Sequence, residues 1–186
     1  EHFGDYFAWG ETEPKSNYSI SNYKWNNGDE TDFTKYCINS IYGYNGFTDD
    51  KTILDKEDDA AYVNWGDKWR MPTQIELVEL IYNCKWEWTT SNNVNGYLVT
   101  GLNGNSIFLP AAGRLTRNNL IDAGTCGRYW LSNLTEYDTY AGAFQGAPYG
   151  SELFFCYNEY NPEGIYELSE YYREYGLTIR PVVSEN

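Results

Sequence analysis

The clearest period in this chain is helical, and it ends abruptly. In MPTQIELVELIYNC, Met71 to Cys84, Thr73 is followed three residues later by Glu76. This is the reciprocal arrangement that satisfies the first free N–H groups of a helix, and Pro72 stands just outside it. Leu77, Leu80, Ile81 and Cys84 then recur at the spacing of one buried helical face, so the pattern predicts a helix. Directly afterwards the period changes. KWEWTT, GYLVTGLNG and NSIFLPAAG group β-branched and aromatic residues around Asn95-Gly96 and Asn103-Gly104, which read as turns between consecutive antiparallel strands. RYWLSN, YAGAFQG, SELFFCY and GLTIRPVV carry the strand-like pattern to the C-terminus.

Upstream, residues 1–50 are rich in Gly, Asn, Ser, Asp and Tyr and read as loops and short strands, with DYFAWGETEP the first candidate strand. In TILDKEDDAAYVNWG the carboxylates ahead of Ala60 and Ala61 predict a short helix, because acidic groups are stabilised by the free N–H groups of a first turn. The sum is α+β, with one or two helices early and a loop-rich antiparallel sheet late. Residues 1–186 fit a single domain.

The charge narrows the partners. Twenty-seven acidic against thirteen basic residues give a net charge of -14, which repels phosphate backbones and argues against nucleic acid. No apolar run reaches the 18 or more residues needed for a bilayer span, which argues against membrane insertion. The N-terminus lacks the zones of a signal peptide, so export would require a leader already removed. The one histidine, His2, is terminal, which disfavours histidine-based catalysis and histidine metal sites. Cys37, Cys84, Cys126 and Cys156 are widely spaced; free buried thiols are the favoured reading, with disulfide and structural zinc left open.

Nineteen tyrosines fall in this chain, six of them between Phe154 and Gly176. There Phe154, Cys156, Ile165 and Leu168 read as inward, while Tyr157, Asn158, Tyr160, Tyr171, Tyr172 and Tyr175 are interleaved with Glu159, Glu163, Glu170 and Glu174. Buried unpaired carboxylates are expensive, so the segment reads as solvent-facing and its tyrosines as displayed. Tyrosine offers large contact area for few rotatable bonds, and neighbouring Ser, Gly and Asn add adaptable hydrogen bonds. Trp9, Trp65, Trp69, Trp86 and Trp130 read as core anchors, and Arg173 and Arg180 as structural ion-pair partners.

Several segments are specific enough to suggest a family. GDYFAWGETEPK, LDKEDDAAYVNWGDKWRMPT, CKWEWTTSNNVNGYLVTGLNGNSIFLPAAG, RYWLSN and YYREYGLTIRPV together resemble the Fibrobacter succinogenes major paralogous domain of Bacteroidetes and Fibrobacteres surface proteins, in family order. The resemblance implies a C-type-lectin-type fold, shared with formylglycine-generating enzymes and with variable proteins of diversity-generating retroelements. It also implies an extracellular or cell-surface location, outer-membrane anchored or on a phage virion. Two departures stand out. This sequence starts after the family's first strand, which reads either as trimmed away or as replaced by a strand-donating neighbour. Between Leu131 and Glu174 it leaves the commoner YWSSS…YYRYYG form.

Within that resemblance the expected function is non-enzymatic binding of a protein or glycan ligand. The expected contacts are Leu131, Asn133, Tyr137, Tyr140, Tyr157, Asn158, Tyr160, Tyr171 and Tyr172. Retroelement targeting of Asn-type codons is compatible with these and with Leu134, Asp138 and Phe155, whereas Gln145 and the glutamates would be fixed scaffold. The alternative is an assembly module of a pilus or surface complex. Enzymes are disfavoured: a formylglycine-generating oxidase holds copper with paired cysteines that this chain lacks, and glutamates and aspartates are too numerous to single out a glycosidase pair. No cofactor is expected. Asp49, Asp50, Asp55, Asp58 and Asp59 nonetheless supply enough oxygen donors for a structural calcium.

Overall fold

The computed structural model describes residues 3–29, 31–134, 148–158 and 161–184, with backbone alone at 161–165. It is mixed α+β with two α-helices and ten strands among those residues, every named pair antiparallel. The helices are α1 (Ala60–Trp65) and α2 (Gln74–Asn83). Strands β1 (Trp69–Arg70) and β10 (Val182–Val183) pair with each other, and β5 (Arg114–Thr116) pairs with β6 (Asn119–Ile121). Two three-stranded sheets form the body. One is β2 (Lys85–Ser91), β3 (Val94–Thr100) and β4 (Ser106–Pro110); the other is β7 (Cys126–Leu134), β8 (Tyr149–Asn158) and β9 (Asn161–Tyr172).

Both predicted helices form for the expected local reasons. Thr73 accepts from the Glu76 amide while the Glu76 carboxylate reaches back to Thr73, and Leu77 turns into the core with Leu80, Ile81 and Cys84 beside it. Asp59 caps α1 by accepting from the Ala61 and Tyr62 amides. Its neighbour Asp58 does something else: it is 2% exposed, accepts from Tyr36, and is ion-paired to Lys24 and Lys35.

The β2–β3 turn is displaced from where Asn95-Gly96 placed it. The two-residue turn is Asn92-Asn93, both at positive φ (50° and 63°), the conformation that a right-twisted hairpin requires and that asparagine tolerates. Gly96 lies inside β3, where an added Cβ would meet the Leu109 carbonyl at 2.2 Å. DYFAWGETEP forms no strand; Phe7 makes a single bridge to Leu177. YAGAFQG lies outside the described residues.

Three packed clusters make the core. The first joins α2, both three-stranded sheets and Phe155; the second surrounds Trp9, Tyr36 and Trp130; the third gathers Tyr18, Tyr23 and Phe33 from the N-terminal loops. Of the five tryptophans expected inside, Trp9 and Trp130 are fully buried, and Trp86 is half-buried against the first cluster. Trp65 and Trp69 are 46% and 36% exposed, because α1 is a single surface turn and β1 belongs to a two-stranded ribbon. The C-terminal segment ties the N-terminal loops down. Phe7 and Leu177 exchange backbone hydrogen bonds, the Trp9 amide donates to the Arg173 carbonyl, and the Trp130 indole donates to the Phe7 carbonyl.

Candidate functional site

The sequence places the contact residues along one segment; the structure distributes them. Leu131 is at 0% exposure, as are Leu134 and Phe155, because β7 is covered on both faces and Phe155 points into the first cluster. These three are core residues, not displayed ones. The inward phase of β8 is accordingly one residue off the expectation: Leu153 and Phe155 face the core, and Phe154 lies half-buried on the other face. Asn133 is partly buried, and its side-chain oxygen accepts from the Gln74 amide, finishing the first turn of α2. Tyr137, Tyr140 and Tyr160 lie outside the described residues.

Tyr157, Asn158, Tyr171 and Tyr172 do reach the surface, in two places. Tyr157 stacks flat on Trp88 with ring centroids 4.8 Å apart, beside a parallel stack of Tyr166 on Trp86 at 4.7 Å; Asn158 is exposed at the strand end. Tyr171 and Tyr172 sit at the far end of β9. As strand neighbours they leave on opposite faces, but Tyr175 in the following turn approaches both, at 5.3 and 5.7 Å, and Tyr149 packs on Tyr172 at 4.8 Å. Four phenol rings therefore wrap around one end of the sheet. Burial and a hydrogen bond with Tyr172 raise the Tyr149 phenol well above its ordinary range, so that ring stays neutral.

Beside Tyr171 lies a charged cluster. The Arg128 guanidinium is held between the rings of Tyr171 (4.2 Å) and Phe154 (4.3 Å), and Arg114 approaches Tyr171 at 5.5 Å while pairing with Asp122. Arg128 also contacts the carboxyl of Glu152, which is fully buried. Burial pushes that carboxyl up to about 8 against the pull of the two arginines. Glu152 Oε2, Arg128 Nε and Arg114 Nε are buried without a hydrogen-bond partner. The arrangement offers aromatic faces, phenol hydroxyls and planar cations at one surface, which is chemistry for gripping a polar ligand with apolar patches.

The remaining expectations resolve differently. Cys126 and Cys156 are register partners on β7 and β8 and form a disulfide; Cys37 is buried and free, Cys84 half-buried and free. The five aspartates do not converge. Asp49 accepts from the Tyr36 and Cys37 amides, Asp55 pairs with Lys35 and Lys51, and Asp58 and Asp59 are engaged as above. Among the described residues no group of three or more His, Cys, Asp or Glu side chains could hold a metal ion. No helix among them is long and apolar enough to cross a membrane. Arg173 is buried completely, and in place of the expected ion pair it lies 3.9 Å over the Phe33 ring and donates to the Tyr36 carbonyl. Glu174, expected at the surface, is 8% exposed.

Arg114, Arg128 and Glu152 went unread in the sequence. The one signal available is a glutamate inside the apolar run SELFFCY; in the register Glu152 faces Trp130, and Arg128, opposite Phe154, reaches it diagonally. Scans of protein-family models, of curated proteins and of solved structures found no match to this chain.

Proposed function

We propose that this chain is a non-enzymatic ligand-binding surface domain of C-type-lectin-type fold, gripping a protein or glycan through the tyrosine-rich end of the β7–β8–β9 sheet. The observation that carries this reading is the contiguity of Tyr149, Tyr171, Tyr172 and Tyr175, four touching rings flanked by the Arg128 guanidinium. Rings that served only to fill a core would be closed over. Tyr172 is 36% exposed, and Tyr149, Tyr171 and Tyr175 are half-buried. The Cys126–Cys156 disulfide supports an oxidising, extracellular setting. The order of the family-like motifs and the antiparallel α+β architecture are compatible with the lectin-type scaffold.

The test is a glycan and surface-protein array probed with the wild-type chain and with Tyr171→Ala/Tyr172→Ala. Loss of two aromatic contacts is expected to weaken a captured ligand at least about tenfold. Tyr172→Ala alone removes ring contacts with Tyr149, Tyr171 and Tyr175 and should cost about 1 kcal/mol of folding stability, well short of unfolding the domain. Ligands captured equally by wild type and double variant would show that the tyrosine end is not the grip.

A further inference from the structure

A cavity opens on the opposite face of the same sheet from the tyrosine end. Its walls are Leu77 and Leu80 of α2, Ile107 and Leu109 of β4, Leu131 of β7 and Leu153 of β8, and its volume is about 120 Å³. Protein interiors normally close such spaces, because lining atoms without neighbours forfeit their dispersion contacts. An apolar cavity of about 150 Å³ accepts a benzene-sized guest, so this one suits a branched chain of roughly four or five carbons.

Three polar side chains border it: Tyr129, Glu76 and Arg180. Tyr129 donates its hydroxyl proton to the Pro110 carbonyl at 2.6 Å. Glu76 is engaged by Arg70 at 2.6 and 2.8 Å and by Thr73. Arg180 is different: it is exposed, and it forms no ion pair among the described residues, in a chain where 27 acidic side chains compete for 13 basic ones. A guanidinium left open beside a leucine-lined cavity complements a ligand that is aliphatic at one end and anionic at the other.

We propose that this cavity is a binding site for a short branched aliphatic carboxylate, the chain seated among the leucines and the carboxylate on Arg180. A free short-chain acid and the C-terminal leucine of a polypeptide share this chemistry. The site is separate from the tyrosine end, since Arg128 and Tyr171 lie on the other sheet face, so either assignment can fail without the other.

The experiment is a methyl and amide NMR titration of the whole chain with 4-methylpentanoate and, in parallel, its uncharged amide. A ligand of this size is expected to saturate near 1 mM, roughly, and the titration should run to about 20 mM. The acid should shift the Leu77, Leu109 and Leu153 methyls, and the amide should bind at least about tenfold more weakly. Arg180→Gln, an exposed change that leaves the fold alone, should reduce the acid to the affinity of the amide. Leu80→Phe should fill the cavity and abolish both. A peptide ending in a free leucine carboxylate that binds at least about tenfold tighter than 4-methylpentanoate would identify a polypeptide terminus as the occupant, and equal or weaker binding would identify the free acid. Equal affinity for acid and amide, indifference to Arg180→Gln, or no saturable shift would overturn the proposal.

Discussion

The two faces of the β7–β8–β9 sheet share their strands and are stabilised in opposite ways. On one face Tyr129, Leu131, Leu153 and Phe155 are each no more than 4% exposed and pack on α2 and the β2–β3–β4 sheet. Apart from the leucine-lined cavity, shape alone completes that face. On the other, Arg128, Glu152 and Tyr171 share space with Trp130, and the structure leaves Glu152 Oε2 and Arg128 Nε buried without partners. Unsatisfied buried polar atoms lower stability, and natural proteins tolerate them chiefly where recognition or switching needs them. The difference separates a face completed by apolar packing from one completed by charge and aromatic contact.

The largest expected effect breaks the apolar face. Phe155 meets Trp86, Trp88, Tyr97 and Tyr129 at ring distances of 5.2 to 6.5 Å, and its ring lies so close to Gly127 that any side chain there would collide with it. Phe155→Ala should cost about 3–5 kcal/mol in chemical denaturation. The next effect loosens both faces at once. Reducing Cys126–Cys156, which closes a loop with a sequence separation of 30, should lower stability by roughly 3–4 kcal/mol, measured by denaturation with and without reductant. The smallest acts on the charged face alone and depends on pH. Glu152 has a folded value of about 8, above its ordinary 4.5, so the stability it contributes is complete below about pH 4.5 and declines as pH rises toward 8. Glu152→Gln mimics the protonated carboxyl. It should match wild type near pH 5 and exceed it above about pH 8, by no more than a few kcal/mol. A variant that is strongly destabilised at pH 5 would mean that Glu152 is ionised there and that Arg128 needs its charge.

Local chemistry was legible and cross-strand chemistry was not. The Thr73–Glu76 cap and the Leu77 stripe could be read because every partner lies within a few residues. The hairpin was misplaced because Asn92-Asn93 can turn as Asn95-Gly96 can, and the choice rests on Gly96 fitting against the Leu109 backbone, a contact made by another strand. Leu131 was misjudged for a similar reason. Register slips between Trp130 and Leu134, and β7 is buried on both sides, so alternation does not sort its residues into inside and outside. The Arg128–Glu152 pair and the disulfide join positions 24 and 30 residues apart, and only the β7–β8 register reveals them. Of the expected contacts, those at strand ends stay at the surface, where covering elements run out.

Arg173 has a consequence for how this chain folds. Its guanidinium holds the Tyr36 carbonyl, its own carbonyl receives the Trp9 amide, and four residues later Leu177 pairs with Phe7. The same N-terminal loops are also held from the middle of the chain, where the Trp130 indole donates to the Phe7 carbonyl and the Trp9 indole to the Leu131 carbonyl. Every one of these ties spans more than 120 positions, so closing them costs chain entropy before the contacts reward it, and the N-terminal loops are expected to order late in folding. Residues 173–177 thus act as a clasp on the first forty residues, closed last and opened first.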